Sequence, residues 1–320
     1  MKKQLQKNTS DWSNLSGSSP RGGGFRSILR QYRTDHMTVD DIRTTAKDDG
    51  EDPPAVYLCQ VSARVSCGAC CGLYNMAALS RAALVDRLTR RTERFAATPR
   101  TEDGIEQFRR AIEGWTPEEK PFPQFHHCPF LGLIGNAHTR VGCLLHPAAS
   151  GNDGQDFRCV SYYGVKACRS YFCPATRSLP TRYLHILRRV WDDWYAYGLI
   201  ITEHRLLQAV FTVVEYYIDR PVDPGDFPAH SEATRCLREV VDLKLFWPYR
   251  CTDATGPCHF VFENGLYSRP EIKWPSLLRP DGHYQTILRE LESCFASDND
   301  MLQAEKILRD LFSRIFAALD

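Results

Sequence analysis

No long hydrophobic run interrupts this 320-residue chain. Its most apolar stretches, such as YGLII at 197–201, fall far short of the roughly 18 residues that a membrane-spanning helix requires. The basic start, MKKQLQK, lacks the apolar continuation that a secretory signal needs, so the expected location is the cytoplasm and no membrane contact is expected. Neither sign of charge is in excess. Forty Lys and Arg against 39 Asp and Glu leave a net charge of +1, so no global field draws the chain to nucleic acid or anionic lipid. The sequence also lacks G-x-G-x-x-G, the P-loop, H-E-x-x-H and G-x-S-x-G, and RGGGF at 21–25 opens no nucleotide-binding unit. That leaves a nucleotide site and the commonest hydrolase reading without support. No internal repeat of convincing period is present either.

Cysteine, by contrast, is abundant. There are 13, and nine of them (Cys59, Cys67, Cys70, Cys71, Cys128, Cys143, Cys159, Cys168, Cys173) fall between residues 59 and 173. In a reducing compartment such a concentration of thiols argues for metal ligation or redox chemistry more than for a disulfide scaffold.

Three regions differ in character. Residues 1–33 carry seven basic residues against one Asp, and residues 34–55 carry seven acidic residues against two basic ones. With SGSSPRGGG and DDGEDPP inside it, residues 1–55 read as a flexible charged leader, whose basic block could meet an acidic partner but reads more simply as a solvated tail. Residues 56–176 read as an irregular cysteine-cluster domain with short strands. It holds two amphipathic helices, over residues 75–95 with Leu79, Ala83, Leu84 and Leu88 at helical spacing, and over 103–115 with Ile105, Phe108, Ile112 and Trp115 on one face. Residues 177–320 read as a helical domain. Helices are expected over 179–198 with Gly198 as the stop, over 202–219 with Thr202 as N-cap, over 232–246 after Ser231, over 282–295, and over 299–319 with Leu302, Ile307, Leu311 and Ile315 inward. The first two should form a helical hairpin, and the fold class is mainly α.

The chemistry sits in the thiols. Thiolate is the soft ligand that zinc and iron–sulfur clusters prefer, and a C-x-x-C loop brings two sulfurs to one metal without straining the backbone. Cys67 and Cys70 have that spacing, with Cys71 adjacent. Side chains of neighbouring residues diverge, so Cys71 suits a second metal, another corner of a cluster, or the core. Cys128 and Cys143 lie 15 positions apart, a gap that a short hairpin closes, and Cys168 and Cys173 follow. These seven are the expected metal ligands, with Cys59, Cys159, His127 and His146 as reserves. Cys236 and Cys294, on expected helices, read as buried small apolar residues. Cys251 and Cys258 with His259 could form a second small site, though an incidental pair is the plainer reading. His185, His204 and the aromatic set Trp191, Trp194, Tyr195, Phe211, Tyr216 and Tyr217 read as ordinary helix residues, the aromatics as core.

CGACCGLYN, CPFLG, GCLLHP and ACRSYF, in that order, resemble the bacterial YkgJ-type cysteine-cluster family, described as zinc- or iron-chelating, over about residues 58–174. The resemblance implies that Cys67, Cys70 and Cys71 are the last three positions of a C-x-x-C-x-x-C-C loop and that Cys128, Cys143 and Cys168 are the later single cysteines. The family's first loop cysteine falls at Arg64, so either Cys59 or Cys173 substitutes or one ligand is missing. Flagellin lysine methylases carry a similar cluster. The expectation is a cytoplasmic metalloprotein holding an iron–sulfur cluster, the preferred cofactor, or zinc. Alternatives are a redox or group-transfer enzyme of the methylase kind, with a protein as partner or substrate, and a thiol-based redox sensor.

Overall fold

The computed structural model describes residues 56–114, 121, 127–252, 271–272, 274–276, 279–280 and 282–320. The expected leader, Trp115, Cys258 and His259 lie outside them. The described chain forms two compact units and crosses between them more than once: residues 85–114 and 128–172 make the first, and residues 56–84, 121, 127 and 173–320 the second. The cysteine-rich segment therefore contributes to both.

The first unit is a helix pair on a hairpin. Helix α1 (Arg81–Ala96) is shorter than its apolar pattern suggests, because Ser80 Oγ accepts the Ala83 N–H (3.3 Å) and starts the helix there. Helix α2 (Glu102–Gly114) buries Ile105, Phe108 and Ile112 as the periodicity predicts, with Glu102 and Asp103 in its first turn. Strands β1 (Leu131–Ile134) and β2 (Arg140–Cys143) pair antiparallel, Leu131 opposite Cys143 and Ile134 opposite Arg140. The Thr92 hydroxyl of α1 accepts the Leu133 N–H (2.8 Å) and donates to the Leu133 carbonyl (3.1 Å), which locks the helix to the strand. Phe95, Phe108 and Phe130 fill the space between, with ring centroids 5.0–6.4 Å apart. A 3-10 turn (Arg158–Val160) and helix α3 (Gly164–Ser170) complete the unit.

The second unit is mainly helical: α4 (Ala175–Ser178), α5 (Thr181–Val190), α6 (Trp194–Ile200), α7 (His204–Ile218), α8 (Glu232–Phe246), α9 (Gly282–Glu290) and α10 (Asp298–Leu319). The single helix expected over 179–198 is two. Trp191 turns extended, and Asp193 Oδ1 then accepts the Tyr195 and Ala196 N–H groups (2.7 and 3.1 Å), capping a new helix. Gly198 is no stop. It lies inside α6 against the Tyr74 ring, where a Cβ would collide with the phenol. Helix α7 starts at His204, not after Thr202, and the residue at its cap position, Glu203, is taken by a different partner: its carboxylate meets Lys244 of α8 at 2.8 Å, both side chains almost fully buried. Ser231 and Ser297 cap α8 and α10. Along α10 the buried stripe is Met301, Ala304, Leu308, Leu311 and Ile315, and Leu302 is exposed. Trp191, Trp194 and Phe211 are core, whereas Tyr216 and Tyr217 face solvent, Tyr216 stacked on His283 at 3.8 Å.

Breaking the buried pair leaves one charge without a partner. Lys244→Met is therefore expected to cost about 3–5 kcal/mol, read as a lower urea midpoint. A change under about 1 kcal/mol would show that the pair is solvated.

Cys294 is not a helical core residue. Helix α9 ends at Glu290, and Cys294 forms a disulfide with Cys251, Cα atoms 4.9 Å apart, beside the antiparallel bridge between Arg250 and Ser293. The bond closes a loop of 43 residues, for which the chain-entropy model gives about 4 kcal/mol. Cys294→Ser should lower stability by that order and expose one more thiol to titration under non-reducing conditions. Equal stability with and without the bond would contradict this.

Candidate metal centre

Cys59 and Cys67 meet across a tight loop. Ser62 Oγ accepts the N–H groups of Arg64 and Val65 (3.2 and 3.1 Å), the Val61 N–H reaches the Val65 carbonyl (2.9 Å), and an antiparallel bridge joins Gln60 to Ser66. The Cys67 N–H then bonds the Cys59 carbonyl (2.9 Å). Arg64 stands at the exposed tip of this loop. A 3-10 turn, Ala69–Cys71, follows, and the Ala69 N–H points at Cys67 Sγ (3.4 Å). Gly72 closes the turn at φ 85°, a left-handed conformation that explains a glycine after the vicinal pair. Within the turn Cys70 is exposed and Cys71 half-buried.

Cys173 arrives from far downstream in the chain, just before α4, where the backbone N–H groups of Ala175 and Thr176 favour its thiolate. Its thiol is nevertheless raised by burial. The sulfurs of Cys59, Cys67, Cys70 and Cys173 lie within electrostatic reach of one another. Burial first, then the charge of Cys173, pushes the Cys59 thiol up to about 12. Burial raises Cys67 too, with Cys173 and Cys59 adding to it. Cys70 rises well above the ordinary thiol range through burial, then Cys173, Cys67 and Cys59. Cys70 is the most exposed of the four. Tyr197, fully buried, donates to the Leu58 carbonyl (2.7 Å) at the same place, and its phenol is raised by burial and then by Cys67, Cys59 and Cys173.

The remaining thiols gather in the first unit. The hairpin register places Cys143 opposite Leu131, three residues after Cys128, and the Leu144 N–H bonds the Phe130 carbonyl (2.8 Å). Burial, then Cys128 and Cys168, raises Cys143. Cys168, on α3, is raised by burial and by Cys128, against the Ser161 hydroxyl 3.4 Å from its sulfur. Asp156 lies beneath, its carboxylate fully buried and held by Arg158 (2.7 and 2.9 Å) and Arg169 (2.8 and 3.2 Å). Burial alone would raise Asp156, and the arginines outweigh it, bringing the carboxyl down to about 2. The neighbouring His146 is lowered to about 4 by burial and then by Arg158, which keeps the ring neutral. Cys159 sits in the 3-10 turn, where burial and then Asp156 and Glu102 raise it.

Six of the seven expected ligands thus fall into two sets: Cys67, Cys70 and Cys173 joined by Cys59, and Cys128 with Cys143 and Cys168. Among the described residues, no group of three or more His, Cys, Asp or Glu side chains is set to hold a metal ion as the structure stands. The sulfurs share electrostatic surroundings and would have to close in on an ion. No helix among the described residues is long and apolar enough to cross a membrane.

No family model, curated protein or solved structure matches this chain. The resemblance to the YkgJ-type family rests on the cysteine motifs alone.

Proposed function

We propose that the chain is a metalloprotein that holds an iron–sulfur cluster or zinc through cysteine thiolates, as the likeness to the YkgJ-type family implies. The observation that carries this reading is that a backbone hydrogen bond (2.9 Å) joins Cys67 to Cys59, with Cys70 in the turn that follows and Cys173 within electrostatic reach of all three. Four thiols are the donor set of a structural zinc and of the common iron–sulfur clusters, so the residues fit the group. Cys59 replaces the family's first loop cysteine, because Arg64 is spent on the exposed tip of the loop.

Each of these thiols is raised, which disfavours the free thiolate that redox attack requires and leaves a bound cation as the means of deprotonating it. A sensor cysteine needs a lowered pKa and an open thiolate, which burial beside other thiols opposes. A cation reverses the balance, since the same proximity that penalises neighbouring thiolates then becomes multidentate attraction. A bound cluster would supply electron transfer, and zinc would supply a cross-link or a Lewis acid. The chain's own residues would bind it through four sulfurs, hold Cys67 Sγ with the Ala69 N–H, and enclose the centre with Tyr197. Cys71, next in the turn, is assigned to the same loop by the family pattern. A reducing, cytoplasmic setting would keep these close thiols unoxidised, and the Cys251–Cys294 disulfide argues against that setting.

The test compares thiol reactivity of protein purified without oxygen before and after chelation. Chelation should release metal and make at least three further thiols reactive toward a disulfide reagent. Identical reactivity in both states, with no metal released, would sink the reading.

A further inference from the structure

We propose that Cys251 and Cys294 form a reversible redox latch: a dithiol reductant opens it, and the Arg250–Glu292 ion pair keeps the two thiols in register so that it closes again. The inference is independent of the thiolate centre.

Helix α9 ends in a Schellman turn. The Glu292 N–H bonds the Arg289 carbonyl (3.0 Å) and the Ser293 N–H the Leu288 carbonyl (3.1 Å), which puts Glu292 where the backbone turns left-handed, at φ 57°. Glycine suits that position, and a side chain is strained there. The glutamate therefore serves something other than the turn. Its almost fully buried carboxylate meets Arg250 at 3.2 Å, and Arg250 also donates to the Lys244 carbonyl of α8. The strained backbone is kept for a carboxylate that anchors the residue before Cys251.

Other contacts align the pair without the sulfur–sulfur bond. The Cys251 N–H donates to the Glu292 carbonyl and the Cys294 N–H to the Tyr249 carbonyl (both 2.8 Å), and Trp247 Nε1–H donates to Ser293 Oγ (2.8 Å). Thiols held in this way have a high effective concentration for one another. Cys251 is buried and Cys294 half-buried, so a reductant meets Cys294 first. A thiolate of the dithiol attacks Cys294 Sγ, the S–S bond breaks, and Cys251 leaves as a thiolate that takes up a proton. The second thiolate of the reductant then attacks the reductant sulfur of the mixed disulfide, and Cys294 leaves and is protonated. Two electrons and two protons pass to the cysteines, and the dithiol becomes a cyclic disulfide. The open latch loosens the α9–α10 connection around the buried Trp247, Leu291 and Phe295. It thus reports a change between oxidising and reducing surroundings.

Full-length protein is equilibrated in mixtures of reduced and oxidised dithiothreitol, starting from either form, and Cys251 and Cys294 are read by differential alkylation and peptide mass. Both directions should reach the same ratio. The amides of Cys251 and Cys294 should exchange at least ~10-fold faster in the reduced form, with the protection of α10 unchanged. Glu292→Gly should need an oxidised-to-reduced ratio about tenfold higher to close, because losing the buried ion pair outweighs relief of the turn. Closure of that variant at the wild-type ratio or below would make Glu292 a cap only and overturn the alignment. Different end ratios from the two directions, another cysteine as the partner of Cys251, or equal exchange in both forms would overturn the latch. Loss of protection along α10 on reduction would show a structural staple instead. Should Glu292→Gly not fold, Glu292→Gln, which keeps the size and loses the charge, is read in the same way.

Discussion

Replacing Cys67 and Cys70 together by serine is expected to abolish metal at the four-thiol centre and with it on the order of 10 kcal/mol of metal-binding free energy, much of which is folding free energy for a site of this kind. Cys67 precedes and Cys70 lies within a three-residue turn in which Ala69 is the buried residue, so the turn depends on what its sulfurs hold. Thermal unfolding of wild type and variant, each with and without chelator, reads the effect. The wild-type midpoint should fall on chelation to that of the variant, and the variant should not respond. Metal affinity should also weaken steeply as pH falls, because every raised thiol must give up its proton to bind. An unchanged midpoint and metal content in the variant would refute the assignment.

Asp156→Ala is expected to cost about 3–5 kcal/mol, since it strands the buried Arg158 and the largely buried Arg169 without their shared anion. The pH dependence has a defined sign. The folded carboxyl lies at about 2, below its ordinary 3.8, so its stabilisation is complete above pH 4 and disappears as pH falls through about 2. That shift corresponds to on the order of 2 kcal/mol. Urea unfolding should show wild-type stability declining over this window by that much more than in Asp156→Ala, whose stability is lower throughout. Parallel profiles would mean that the carboxylate is not the arginines' partner.

Much of the helical layout is legible in sequence because one-sided burial imposes a 3.6-residue period. Ile105, Phe108 and Ile112 of α2 and the serine caps of α8 and α10 follow from local rules alone. The departures have tertiary causes. Glu203 spends its carboxylate on Lys244, which no local rule reveals, and α7 starts two residues beyond Thr202. The break before α6 did carry a local signal, since Asp193 followed by an apolar run is a capping pattern, but a continuous stripe of Tyr, Leu and Trp obscured it.

The cysteines divide in the same way. The C-x-x-C spacing of Cys67 and Cys70 is visible in sequence, whereas the electrostatic proximity of Cys59 and Cys173 depends on a loop and a helix start brought together by the fold. The division of the sulfurs into two sets has no signature in spacing, because Cys168 and Cys173 lie five residues apart and belong to different units. Cys251 and Cys294, 43 residues apart, are likewise joined only by the packing of the α9–α10 connection beside the end of α8.

The most direct test of the central claim is metal and acid-labile sulfide content, with a visible absorption spectrum, on full-length protein purified without oxygen. The account predicts bound metal: iron with matching sulfide and a broad thiolate-to-iron band, or zinc without sulfide. Metal-free protein in which Cys59, Cys67, Cys70 and Cys173 titrate as ordinary thiols would contradict it.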